Sequence, residues 1–79
     1  MTTLPAPRCL IAEDEPLLAA GLRADLAALW PALVVAAEVG DGASAVAQAL
    51  ALRPEVCFLA FAMPALTGLE AAQALAEDW

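Results

Sequence analysis

The chain has 79 residues, 63% of them hydrophobic, and sets ten acidic residues against three basic ones for a net charge of -7. It is too apolar for a disordered tail, and its acidity makes nucleic acid and anionic membrane poor partners. With three arginines, no lysine and no histidine, a lysine nucleophile, a histidine base and a histidine metal ligand are all excluded.

The length allows one small domain, residues 1–79, whose interior is too small to hide this much apolar surface. A partner or a second copy is the natural place for the remainder. The opening "MTTLPAPR" has no apolar stretch behind a basic segment, so no signal peptide is expected. No apolar run approaches the ~20 residues of a membrane span, and a cytoplasmic protein is expected. Cys9 and Cys57 each lie inside an apolar run, "RCLIA" and "VCFLA", as small core residues do.

In chain order, "CLIA" within 8–13 is a short continuous apolar run, as expected of a parallel strand covered on both faces. Three carboxylates follow it: Glu13, Asp14 and Glu15. Over 16–30 the spacing of Leu18, Leu22, Leu26 and Leu29 predicts a helical stripe, with Pro16 tolerated in the first turn and Pro31 as the stop. A β-branched run over 33–39 reads as the second strand, and "GDG" supplies turn chemistry. A second helix is expected over 43–52, ended by Pro54, and "EVCFLAF" over 55–61 is the third strand. Thr67 and Glu70 then form a T-x-x-E capping box at the start of a third helix over 67–78, which would show Leu69, Ala72, Ala76 and Trp79 on one face.

The order βαβαβα with crossover spacing predicts a parallel sheet with right-handed connections. In a doubly wound arrangement the spatial order is 2-1-3, which puts the C-terminal ends of strands one and three side by side. Glu13, Asp14 and Ala60 would then surround one crevice, where open α/β sheets hold ligands.

"LIAEDEP", "GDGASAVAQAL" and "FLAFAMPALTGLEAAQAL" together resemble the receiver domain of bacterial response regulators, over residues 8–79. The pair Met63-Pro64 followed by "TGLE" is the most specific part, and "AEDEPLLAAGLR" with "TGLE" looks most like receivers attached to LytTR-type DNA-binding domains. The resemblance implies a flavodoxin-like fold in a two-component phosphorelay. A histidine kinase would pass a phosphoryl group to an aspartate four residues before the proline of "MP". Two acids at the end of strand one would help to hold Mg²⁺. Glu13 and Asp14 match those acids, and Ala62 would supply only a backbone carbonyl.

The position of the acceptor aspartate is Ala60, and a methyl group cannot accept phosphate. On this reading the chain stops after the third βα unit, so the family's strand-four hydroxyl and strand-five lysine have no counterpart. It is therefore read as a non-enzymatic, phosphorylation-incompetent receiver, with at most weak residual Mg²⁺ at Glu13 and Asp14. The plain alternative for these acids is stabilisation of the following helix N-terminus.

The outer edge of strand three would carry unpaired backbone groups. Self-association there is expected, through Val56, Phe58, Ala60, Phe61 and Ala62, giving a homodimer or larger homo-oligomer. Two other readings stand beside this one. The first is an engineered or structural self-assembling α/β homodimer on a receiver scaffold. The second is phosphorylation at another carboxylate, Asp14 or Glu13.

Overall fold

A computed structural model describes residues 6–78. The elements are β1 (Arg8–Ala12), α1 (Pro16–Leu29), β2 (Val34–Val39), α2 (Gly42–Leu52), β3 (Val56–Leu59) and α3 (Gly68–Asp78). All three strands are parallel, in the order β2-β1-β3. The central strand is covered on both faces, with Cys9, Leu10, Ile11 and Ala12 all buried, which is why it reads as a continuous apolar run.

The main core lies between the sheet and the α2–α3 layer. Leu10 and Ala12 meet Ala45, Ala49, Met63 and Leu75, with Cys57 and Leu59 packed against them. Cys9 pairs with Val56, and Leu10 with Cys57. Since neighbours along a strand point to opposite faces, the two cysteines lie on opposite faces of the sheet. Both are free thiols, and burial raises the pKa of each, most simply because a thiolate is poorly solvated there.

Side chains fix the helix ends. Asp41 caps α2, accepting from the Ser44 N–H at 2.7 Å and the Ser44 hydroxyl at 2.9 Å. These bonds hold its carboxyl below the usual carboxylate range. At the other end of α2 the Arg8 guanidinium donates to the carbonyls of Leu52 and Arg53, placing a cation where the helix dipole favours one. Arg8 also donates its backbone N–H to the Glu55 carboxylate at 2.8 Å, which lowers that group's pKa. Arg23 of α1 reaches Glu38 of β2 at 2.6 Å.

Two helices carry exposed apolar residues. On α1, Leu22 and Leu26 are half-buried but Leu18 and Leu29 are 60% and 84% exposed. The buried residue of this helix is Ala19. The helix has more leucines than one face can use. On α3 the buried residues are Gly68, Ala71 and Leu75, while Leu69, Ala72 and Ala76 are exposed and Trp79 lies outside the described residues.

Gly68 stands where α3 approaches the end of β3 most closely. A Cβ there would collide with the Ala60 carbonyl oxygen, so the face carrying Gly68, Ala71 and Leu75 is the one that fits the strand end. Strands one and three are also shorter than expected. β1 stops at Ala12 and β3 at Leu59, although the Ala60 N–H still reaches the Ala12 carbonyl at 2.9 Å.

Candidate functional site

The C-terminal ends of β1 and β3 adjoin, as a 2-1-3 order requires. Between them is a pocket of about 260 Å³ lined by Ala12, Glu13, Leu22, Phe58, Leu59 and Ala60. Two of the expected site residues, Glu13 and Ala60, therefore meet in one crevice. Asp14 does not line it and is exposed. Leu22 and Phe58 escaped the sequence reading of the site. Their signal was available: Leu22 lies in the apolar stripe of α1, and Phe58 is two residues before Ala60 on the same strand face.

The acidic cluster is partly spent on local structure. The Glu13 carboxylate accepts the Glu15 N–H at 3.2 Å, while Glu15, the N-cap of α1, makes no side-chain capping bond. Helix-terminus stabilisation by this cluster thus rests on Glu13. Among the described residues no three His, Cys, Asp or Glu side chains gather to hold a metal. Mg²⁺ takes near-octahedral oxygen coordination, and Glu13, Asp14 and a methyl at Ala60 do not fit that requirement.

Beyond Ala60, Phe61 is 80% exposed and Ala62 is exposed. The chain then folds back over the start of α2. Gly42 donates its N–H to the Pro64 carbonyl at 3.2 Å, and a Cβ on Gly42 would strike Leu66. Ala65 takes φ 70° in this loop, a left-handed conformation that favours glycine.

The loop ends in the expected capping box. Thr67 donates its N–H to Glu70 Oε1 at 2.9 Å, and Glu70 donates its N–H to Thr67 Oγ1 at 3.2 Å. The first of these bonds chiefly holds the Glu70 carboxyl below its ordinary pKa. Thr67 is thus occupied as a helix cap.

Three parallel strands in the order 2-1-3, with a helix after each and a crevice at the strand ends, define the flavodoxin-like fold of receiver domains. The solved signal receiver domain of the response regulator NarL from Mycobacterium tuberculosis superposes with a TM-score of 0.87 at 29% identity, covering 95% of this chain and 60% of that one. No protein-family model matches.

In sequence the chain is 40% identical over 69 residues to an uncharacterised response regulatory protein of Vibrio cholerae, covering 87% of this chain and 26% of that protein. It is 41% identical over 69 residues to the nitrate/nitrite response regulator protein NarP of Escherichia coli, covering 87% of this chain and 32% of that one. It therefore spans about a quarter to a third of the length of these relatives. Fold and sequence together support a response-regulator receiver domain. Among the described residues no helix is long and apolar enough to cross a membrane.

Proposed function

We propose that this chain is a receiver-type signalling module that does not take a phosphoryl group at the usual place and acts by binding. The observation that carries the proposal is Ala60. It lies at the end of β3, in the same crevice as Glu13 and four residues before Pro64, and it offers a methyl where phosphoryl transfer needs a carboxylate oxygen. Any Mg²⁺ touching Glu13, Asp14 or the Ala62 carbonyl is held weakly, because a hard cation needs several oxygen ligands at once.

The binding surface is the outer edge of β3, and the partner is a second copy. β3 has β1 on one side, and among the described residues no strand on the other. Val56, Phe58 and the exposed Phe61 make that side apolar, and an apolar edge without charge or proline is a template for another chain.

Incubation of the full chain with acetyl phosphate and Mg²⁺, followed by intact mass measurement, tests the first half of the proposal. The mass is expected to stay unchanged. A phosphoryl adduct, on Glu13, Asp14 or elsewhere, overturns it.

A further inference from the structure

We draw no further inference here: the strongest candidate, the apolar face of α1 that exposes Leu18 and Leu29, carries no proposal because nothing in the structure shows what covers it.

Discussion

Gly68→Ala probes the contact that orients α3. The added Cβ would meet the Ala60 carbonyl oxygen, with the Leu59 carbonyl oxygen 3.2 Å away, and backbone atoms cannot swing aside as the end of a side chain can. Overpacking of this kind costs about 1–3 kcal/mol, and a rigid obstacle belongs at the upper end. Alanine recovers up to ~1 kcal/mol of helix propensity, leaving a net loss of about 2 kcal/mol. At ~4–8 °C per kcal/mol for a domain of this size, Tm falls by about 8–16 °C.

Gly21→Ala is the control. A Cβ there meets nothing within 4 Å on an exposed stretch of α1, so the same change stabilises by up to ~1 kcal/mol through propensity alone. Thermal unfolding of both variants, followed by circular dichroism at one fixed protein concentration, reads the two signs. A Gly68→Ala protein as stable as its parent, or a fall in Tm of equal size for Gly21→Ala, refutes the reasoning.

Thr67→Ala removes the acceptor for the Glu70 N–H and is expected to cost about 1 kcal/mol in urea unfolding, with Thr67→Ser restoring most of it; equal midpoints for all three proteins would contradict the capping role. Ala65→Gly releases a left-handed alanine, whose conformation costs roughly 1–2 kcal/mol, against ~0.5–1 kcal/mol of added chain entropy for glycine; a small rise in the urea midpoint is expected. Asp41, Glu55 and Glu70 all have lowered folded pKa values from accepted hydrogen bonds. Their contribution to stability is present above the ordinary carboxylate values near ~4 and is lost as pH falls through the lower folded values, so the urea midpoint should drop through that acid range. Cys9 and Cys57 are shifted upward, and their contribution holds below the ordinary thiol value of about 8.5 and is lost as pH rises through the raised folded values. A midpoint flat across both ranges would contradict both assignments.

Much of the fold was legible in the sequence because local signals agreed with one another. The alternation of β-like and helical runs gave the element order, and doubly wound topology gave the strand order. The Thr67–Glu70 box gave the start of α3 to within a residue. What the sequence concealed depended on contacts between distant residues. The buried face of α3 follows from Gly68 meeting Ala60 across a loop, and nothing in the spacing of Leu69, Ala72 and Ala76 carries that information. On α1 leucines fall on more than one face of the helix, and the residue that is buried is Ala19.

Other features had a signal that was not used. Asp41 followed three residues later by Ser44 is an N-cap pattern within "GDGAS". The clamp of Arg8 on the end of α2, by contrast, joins residues 44 and 45 positions apart and has no local signature. At the site, the meeting of Glu13 with Ala60 followed from topology alone. The exclusion of Asp14 from the pocket is set by the path of the chain into α1.

Hydrogen exchange of the Cys57 and Leu59 amides, followed in reduced protein across a dilution series, tests binding through β3 most directly. The Ala60 N–H bonds to the Ala12 carbonyl, and alternate residues of a strand share a side, so the Cys57 and Leu59 amides point away from β1 and a strand added at this edge protects them from solvent. Both should be protected at high concentration and lose that protection together on dilution, while the amides of Val56 and Phe58, bonded within the sheet, change little. Cys57 and Leu59 amides that exchange equally fast at every concentration would contradict the account.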